Sequence, residues 1–385
     1  MTGPLPPGKD GPARLVTDPH ELAGLSSHAS RFVAGLASEA PGEMINNFHS
    51  QPMLMVHGDR HLPVTLEDGR AGGSYVASPH SAYVLYARDE IDIIGLTGAS
   101  RLAAHGVLAA LDAWLKAVAI NRTVHLDNWL LSTSLHGAWD GTGLAAMRHA
   151  LIEAFPDHLP VLRCVDEWSC PELLATVKAD GWTLLPSRQI WVTDDLEAQW
   201  RPRSHAKSDL RAMRKSGLQV EEIEAMTAAD ASRIAELYEA LYRGRYSPLN
   251  PAYTSAFVEH ACTSGALRWR VARGRDGRIM ASAGMRVAGG IVTVPMLGYD
   301  TSRPQSEALY RIASLLSSEW TMERGYRYHG SAGAGTFKAN RGARGVIEYM
   351  AVHTGHLAPA RRTAIGLLAA VMERTMVPAL RKQGW

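Results

Sequence analysis

The segment Gly330-Ser-Ala-Gly-Ala-Gly-Thr-Phe-Lys338-Ala-Asn-Arg341 places two cations after a turn of small residues and a predicted buried strand. It differs from a Walker A phosphate loop, because two residues separate the last glycine from Lys338 and no hydroxyl residue follows the lysine. Lys338 and Arg341 are three residues apart on a predicted short helix, so their side chains would face one side. Such a pair can neutralise a phosphate or a developing oxyanion. The alternative is a surface pair beside a glycine turn.

Histidine and cysteine spacing argues against a metal site or a covalent nucleophile. The pairs His57/His61 and His353/His356 lie outside predicted helices, and neither has the glutamate of an HExxH motif. The three cysteines form no pair of CxxC units, and the sequence has no GxSxG elbow. We therefore predict no metal ligand and no tightly bound cofactor.

Composition indicates a folded, soluble protein, with 46% apolar residues, 20% charged residues and a net charge of +2. The N-terminal residues lack the apolar core of a signal peptide. The longest run of apolar residues and glycine, from Ala364 to Met372, is short of the roughly 20 residues that cross a bilayer. These features predict a cytoplasmic protein without a membrane span.

Although the net charge of the whole chain is low, one stretch is strongly basic. Residues 201–215 carry six Lys or Arg against one Asp. A solvated helix face is one explanation, and contact with the phosphates of a co-substrate or of tRNA is the other. The whole-molecule charge by itself does not favour a nucleic-acid partner.

The elements that must position these residues fall into two similar series. The length of 385 residues suits two domains. In the first series, residues 81–87 and 123–133 are predicted strands. The second of these is followed by a glycine turn, a helix and the strand 159–165, which together make a βαβ unit.

The second series repeats this order. Three antiparallel strands, a long helix, two strands that bracket the Lys338 segment and a terminal helix are predicted there. We place the domain boundary between residues 195 and 196, with domains 1–195 and 196–385 and a basic linker helix at 201–215. The predicted class is α/β (α+β), with a mixed twisted sheet flanked by helices in each domain.

The order and spacing of the second series resemble the C-terminal half of Fem-like proteins, which are tandem members of the GNAT acyltransferase superfamily. The segments that carry the resemblance are VPMLGYD ending at Asp300, EWTMERGYRYH, the Lys338 loop and GVIEYMAVHTGH. The resemblance implies two GNAT-like domains and direct transfer of an activated acyl group to an amine, without a covalent intermediate. It implies a co-substrate that is an acyl-CoA, a carrier-protein thioester or an aminoacyl-tRNA. The acceptor would be a small-molecule or peptide amine.

A phosphate-binding turn at a helix start is expected in GNAT enzymes that use acetyl-CoA. The nearest match in the first half has Gly141 and Gly143 but lacks the usual Gln or Arg, and in the second half Arg303 stands at the equivalent position without a glycine pair. We predict donor binding by Gly141, Gly143, Arg303 and Arg341. For the two glycines, an ordinary strand-to-helix turn is the alternative.

The resemblance also suggests catalytic and acceptor-binding roles. Tyr299 could protonate the leaving group, Asp300 could orient the amine, and Glu348 could act as a base through water beside Lys338. Turn formation by Asp300 and solvent exposure of Glu348 are the alternatives. The predicted acceptor-binding residues, near one predicted strand end, are Tyr83, Tyr86, Arg88 and Glu90.

The sequence thus predicts an amide-forming N-acyltransferase. A thioester donor ranks before aminoacyl-tRNA, because the net charge of +2 is low for a tRNA-binding protein. A non-catalytic binding module that keeps the fold is the third reading, since both phosphate turns depart from the usual pattern.

Overall fold

The computed structural model describes residues 12–40, 42–70, 72–95 and 97–383, and the strands in this part of the chain join into a single sheet. In chain order the strands are β1 (Arg14–Val16), β2 (Gln51–His57), β3 (Arg60–Asp68), β4 (Arg122–Leu126), β5 (Leu159–Val165), β6 (Thr183–Thr193), β7 (Gln219–Ile223), β8 (Arg268–Arg273), β9 (Ile279–Ala288), β10 (Ile291–Tyr299), β11 (Arg327–His329) and β12 (Arg344–Val352).

Helices flank this sheet. They are α1 (Pro19–Gly24), α2 (His28–Ser38), α3 (Tyr86–Ile94), α4 (Gly98–Ala117), α5 (Leu144–Ala154), α6 (Pro171–Ala179), α7 (Leu196–Gln199), α8 (Ser204–Ser216), α9 (Ala228–Tyr238), α10 (Ser255–Thr263), α11 (Leu309–Glu323), α12 (Gly335–Ala339) and α13 (Pro359–Gln383). Ser27, Thr227 and Thr254 begin three of them, because each side-chain oxygen accepts a backbone N–H from the first turn.

The sheet repeats one pattern in the two halves. Its order is β1-β2-β3-β4-β5-β12-β6-β11-β10-β9-β8-β7. Strands β1 to β4 are antiparallel and β5 is parallel to β4. Strands β7 to β10 are likewise antiparallel and β11 is parallel to β10. The predicted class, a mixed α/β sheet flanked by helices, is confirmed.

The two halves exchange their last strands. β12 from the second half lies between β5 and β6 of the first half, and β6 lies between β12 and β11. The sheets predicted for the two halves are therefore continuous with each other rather than separate. The boundary between residues 195 and 196 falls in the link from β6 to α7, and the two domains that it defines stay a prediction.

A large buried cluster also joins the halves. Phe32 and Trp129 from the first half meet Phe257 and Tyr253 from the second, with ring centroids 5.2 Å apart for Phe32–Trp129 and 4.3 Å for Tyr253–Phe257. The Tyr253 hydroxyl donates to the Leu130 carbonyl at 2.7 Å. Full burial of one large apolar side chain contributes roughly 1.5–3 kcal/mol, so this cluster stabilises the junction.

Residues 81–87, which were predicted as a strand, are helical, and that prediction is wrong. A π-helical turn spans Ser81–Leu85, and α3 continues from it. A short apolar run fits a buried helix as well as a strand. Here the helical turn buries Tyr83 and Val84 together against the core.

The strand predicted over 123–133 ends earlier, at Leu126. Asp127 and Leu130 have left-handed backbone angles, with φ of 54° and 56°, which a regular strand cannot contain. The side-chain amide of Asn128 donates two hydrogen bonds to neighbouring segments and holds this irregular turn.

The terminal helix α13 packs on the sheet through one face, which buries Ile365, Leu368 and Met372. Over Pro359–Lys382 it is long and apolar enough to cross a membrane, and 22% of its apolar stretch is buried. Core helices of soluble proteins share this length and composition. The predicted absence of a membrane span therefore stays a prediction.

Candidate active site

A cavity of about 400 Å³ lies at the junction of the two halves. β10 and β11 are hydrogen-bonded only from Ile291 to Thr293 of β10. Beyond that point the two strands part, and Val294 and Leu297 line the cavity together with the loop that starts at Gly330. Residues from both halves of the chain therefore line this cavity.

Arg188 and Glu348 form a buried ion pair in this cavity. They are directly opposite each other on β6 and β12, the exchanged strands. Arg188 donates from Nε to Oε1 at 2.7 Å and from Nη2 to Oε2 at 3.1 Å. Burial by itself raises the pKa of Glu348, but the attraction and hydrogen bonds of Arg188 outweigh it and lower the pKa below its usual value.

Arg188 also ties three segments together. Its Nη2 donates to the Ser132 carbonyl at 2.8 Å and to Thr133 Oγ1 at 3.0 Å, and its Nη1 donates to Ser331 Oγ at 3.3 Å. The guanidinium is thus surrounded by acceptors from both halves. Its hydrogen bonds connect the segments that form the cavity wall, and its charge is neutralised by Glu348.

Lys338 lies on α12 and borders the same cavity, half-buried. Its Nζ donates to the Ala332 carbonyl at 2.8 Å and to the Ser331 carbonyl at 3.4 Å. Among the described residues no carboxylate lies within 4 Å of this amine. Burial, and then the positive charge of Arg188, lower the pKa of Lys338 to about 7. Near neutral pH the amine therefore exists in both protonation states.

Arg341 also lines the cavity, but its charge is fully paired. It donates from Nε to Asp209 Oδ2 at 2.6 Å and from Nη2 to Asp209 Oδ1 at 2.9 Å, and its guanidinium stacks on the Phe337 ring at 3.4 Å from the centroid. Asp209 belongs to α8 and is buried. The contact fastens the Lys338 loop to α8. Donor binding by Arg341 stays a prediction.

Arg163 on β5 is a cavity residue that the sequence reasoning missed. Its Nη1 donates to Asn128 Oδ1 at 3.2 Å and to the Leu131 carbonyl at 3.3 Å. Within the described ranges no carboxylate comes within 4 Å of its guanidinium. His136 supports Arg163 from behind, with Nε2 donating to the Arg163 carbonyl at 2.8 Å and Nδ1 donating to Asp127 at 2.7 Å.

Three of the predicted acceptor-binding residues converge on the cavity because their segment is helical. Tyr83, Tyr86 and Glu90 share one helical face and all line it, with Glu90 exposed at the mouth. Arg88 lies on another face, 3.9 Å from Asp112, and is absent from the cavity lining. The aromatic wall is completed by further tyrosines from both halves: Tyr75, Tyr242, Tyr246, Tyr310 and Tyr328.

The structure places Tyr299, Asp300 and Arg303 outside the cavity. Tyr299 contacts the cavity residue Tyr310 at 5.8 Å between ring centroids, and its hydroxyl accepts from Arg245. Asp300 is paired with Arg233 at 2.7 Å. Arg303 is paired on the surface with a nearby glutamate. Their predicted roles have no support from position.

Gly141 and Gly143 also lie away from the cavity, at the start of α5. A Cβ on Gly141 would stand 2.5 Å from the Thr176 side chain, and one on Gly143 would stand 2.5 Å from the His57 ring. Both glycines have left-handed backbone angles, with φ of 94° and 80°. Close packing and turn geometry therefore account for glycine at both positions.

Sequence reasoning missed His329 and Arg188 as well as Arg163. Ser331 N donates to His329 Nδ1, and His329 Nε2 lies 4.0 Å from Glu348. Burial lowers the pKa of His329 to about 4, so the ring is neutral. A charged residue within the apolar run around residues 184–192 was the available signal for Arg188, since buried charges need partners. No cluster of His, Cys, Asp or Glu that could hold a metal ion occurs in the described residues.

Comparisons with known proteins concern the fold. No protein-family model matches the sequence, and no curated protein sequence does either. Among solved structures the chain is similar to L-PGS from Bacillus licheniformis, with 12% identity and a TM-score of 0.44 over 60% of this chain and 79% of that one. It is similar to FemX, with 12% identity and a TM-score of 0.40 over 55% of this chain and 76% of that one.

A tandem GNAT protein from the clavulanic acid biosynthesis pathway covers more of the sequence. It has 12% identity and a TM-score of 0.39 over 88% of this chain and 98% of that one. At these identities the likeness describes architecture alone. The similar structures thus include FemX and a tandem GNAT protein, two kinds of protein that the sequence was expected to resemble.

Proposed function

We propose that the chain is an N-acyltransferase that forms an amide by direct transfer of an activated acyl group to an amine. The amine nitrogen bonds to the acyl carbon, the bond from that carbon to the leaving sulfur or oxygen breaks, and a proton of the nitrogen passes to the leaving group. This reaction needs a neutral amine, a cation or donor for the developing oxyanion, and a group that moves the proton. The cavity at the junction contains a candidate for each need.

The observation that carries the proposal is the cavity position and pKa of Lys338. A pKa of about 7 matches the range in which a side chain transfers protons well near neutral pH. The neutral amine can accept the proton of the acceptor, and the resulting ammonium can give it to the leaving group. Its bonds to two loop carbonyls fix the amine at the cavity wall.

Arg163 and Arg188 take different parts in this proposal. Arg163 has no carboxylate partner and lines the cavity, so its guanidinium is free to stabilise the oxyanion. Arg188 is neutralised by Glu348 and instead positions the strands. Glu348, predicted as a base, is made a weaker base because the Arg188 pair lowers its pKa, and we assign it to positioning.

The acceptor amine would bind at the aromatic wall near the mouth. Tyr83 and Tyr86 offer apolar faces. Burial and the nearby Asp89 raise the pKa of Glu90 to about 7, and in its ionised form Glu90 can attract an ammonium group before that group loses its proton. This arrangement suits a small-molecule or peptide amine.

A product assay tests the proposal. The full chain is incubated with acyl-CoA and carrier-protein thioesters and with a panel of amines, and amide product is measured by mass spectrometry. Lys338→Met should lower turnover by roughly 10²-fold or more, the size of effect seen when one stabilising group is lost. The control is Lys178→Met, since Lys178 is an exposed cation on α6.

Two outcomes would contradict the proposal. Equal turnover in Lys338→Met and the wild type would remove Lys338 from the reaction. Absence of product from every thioester and from aminoacyl-tRNA would favour a binding module that keeps the fold without catalysis.

The outer face of α8 favours a second donor, aminoacyl-tRNA. Lys207, Arg211 and Arg214 are exposed on this helix and, within the described residues, have no carboxylate within 4 Å. The opposite face holds Asp209, which bonds Arg341 at the cavity. A basic surface therefore flanks the candidate active site, where a phosphate backbone would lie if the acyl group entered the cavity.

Salt dependence separates the two donors. Binding of aminoacyl-tRNA should weaken by about 10²-fold or more between about 50 and 200 mM salt, because each neutralised phosphate releases counterions. Binding of a thioester should change little. The double charge reversal Lys207→Glu and Arg211→Glu should abolish the tRNA response and leave thioester transfer intact. If transfer from both donors were unchanged in the double variant, the basic face of α8 would be a solvated surface without a part in donor binding.

A further inference from the structure

A second cavity, of about 730 Å³, lies apart from the candidate active site. It lies between the start of α2, the turn from β2 to β3, the ends of β8 and β9, and α11. Among the described residues the two cavities share no lining residue. The charged residues that line it are Arg60, Arg268, Arg286, Arg324, Asp59 and Glu222.

Arg286, on β9, is the unusual member of this group. It is 8% exposed, and its Nε has no hydrogen-bond partner. Its Nη1 makes one long bond, at 3.4 Å, to the Ala266 carbonyl, and its guanidinium stacks on Trp129 at 3.4 Å from the ring centroid. No carboxylate of the described residues lies within 4 Å of it. Burial lowers the pKa of Arg286 to about 10, although the negative charge of Asp127 acts in the opposite direction.

A buried cation without a counter-charge is costly to the folded state. Two other arginines with little exposure have carboxylate partners, because Arg341 is paired with Asp209 and Arg188 with Glu348. Arg286 instead lines a cavity in which a ligand could supply a negative charge in direct contact with the guanidinium. This contrast points to a ligand rather than to a structural ion pair.

Other positively charged groups line the same cavity as Arg286. Arg60 and Arg268 line the same cavity and, in the described ranges, have no carboxylate within 4 Å. Arg324 is neutralised by Glu222 at 2.8 Å. The N-terminal end of α2, which carries a partial positive charge, also borders the cavity at Ser27. Arg286, Arg268 and the start of α2 thus border one space, as does Arg60, whose guanidinium also lies 5.4 Å from the Trp139 ring centroid and is attracted by Asp127 and Asp140.

We propose that this cavity binds a phosphate group, either free or carried by a small metabolite, through Arg286, Arg268 and Arg60. Guanidinium groups bind phosphate oxygens through two parallel hydrogen bonds, and helix starts favour the same anion. The cavity has the size of ordinary small-molecule sites, roughly 300–1,000 Å³, so it can hold a carrier as well as its phosphate. The site is independent of the proposed acyl transfer.

Calorimetric titration of the full chain tests this proposal. Inorganic phosphate and AMP serve as probes, and chloride keeps the ionic strength constant. The wild type should bind at least one probe saturably, and Arg286→Met should weaken that binding by about tenfold or more, because it removes a charge-assisted hydrogen bond. Equal affinity for both probes indicates a site for free phosphate, and tighter binding of AMP indicates a phosphate on a carrier.

Two further variants keep the test decisive if Arg286→Met does not fold. Arg268→Met changes an exposed lining residue and should also weaken phosphate binding, whereas Arg275→Met, in the exposed β8–β9 turn, should not. Added phosphate should raise the melting temperature of the wild type and of Arg275→Met only.

The proposal is overturned if no probe binds saturably to the wild type up to about 10 mM. It is also overturned if Arg268→Met and any folded Arg286→Met bind as tightly as Arg275→Met. A lower melting temperature of Arg286→Met with unchanged phosphate affinity would assign Arg286 to packing on Trp129.

Discussion

Two glycine turns that precede helices have opposite surroundings in the two halves. At the start of α5, a Cβ on Gly143 would meet His57 at 2.5 Å, so the glycine makes room for a protein side chain. Before α12, a Cβ on Gly333 would meet nothing within 4 Å, and the turn borders the cavity that contains Lys338. Both turns are tight, but only the second has space in front of it. Glycine in a turn therefore indicates the backbone conformation of the turn. Whether a ligand can bind there depends on the free space beside the turn.

The largest expected effect on stability comes from breaking the ion pair on the cavity side. Glu348→Gln leaves Arg188 buried without a counter-charge, which should lower the free energy of unfolding by about 3–5 kcal/mol. Urea unfolding measures this loss. Glu307→Gln, in the exposed pair with Arg303, is the matched control and should cost far less, because water screens an exposed ion pair. Similar losses in the two variants would contradict the structural part assigned to the pair.

The same pair gives a pH dependence with a defined sign. The folded-state pKa of Glu348 is lowered, so its contribution to stability is present above the unfolded value near 4.3 and is lost as the pH falls through the folded value. Glu348→Gln should remove this part of the acid sensitivity.

The two turns can be compared directly with alanine. Gly143→Ala combines a left-handed φ of 80° with a clash against His57, and Gly333→Ala has only a left-handed φ of 74°. Gly143→Ala should cost about 1–3 kcal/mol and Gly333→Ala about 1 kcal/mol. Turnover per folded molecule should fall only in Gly333→Ala. A loss of turnover confined to Gly143→Ala would place the site in the first half.

Lys338 should make stability rise with pH. Its folded-state pKa is about 7 and its unfolded value is about 10.4, so the unfolded chain binds more protons between these values. Urea midpoints of the wild type should therefore increase from pH 7 to pH 9, and those of Lys338→Met should increase less. Parallel curves would show that Lys338 is well solvated.

The smallest effect should come from His136, which supports Arg163 from behind. Burial lowers its pKa, but the bonds to Asp127 and the Arg163 carbonyl outweigh this and raise the pKa above its usual value. Its contribution is present below about pH 6.5 and is lost as the pH rises through the folded value. His136→Gln should flatten this decline. An unchanged pH curve would show that the His136–Asp127 pair forms no charged bond.

The sequence was enough to predict the class of the sheet and the repeat of element order, because apolar periodicity and turn residues are local properties. It was not enough to predict the exchange of β6 and β12, since pairing between strands distant in sequence leaves no local pattern. The helical form of residues 81–87 was missed because a short apolar run fits both structures.

The candidate site was also predicted only in part, because the sequence shows residue types and local position but not contacts between distant segments. Lys338, Glu348, Tyr83 and Tyr86 were identified from residue type and position, and all line the cavity. Arg188 and Arg163 were missed, because their importance depends on partners from distant segments. Tyr299 and Asp300 do not line the cavity, because a strand end near a cavity need not face it, and their catalytic roles stay predictions.

The pH dependence of turnover in the wild type and in Lys338→Arg tests the central claim most directly. Arginine keeps the positive charge but cannot lose its proton, so it replaces Lys338 as a charge and not as a proton acceptor. We expect wild-type kcat to fall as the pH drops through about 7, and Lys338→Arg to lose roughly 10²-fold with no limb in that range. If Lys338→Arg turned over as fast as the wild type and its kcat fell in the same way as the pH drops through about 7, the account would be contradicted.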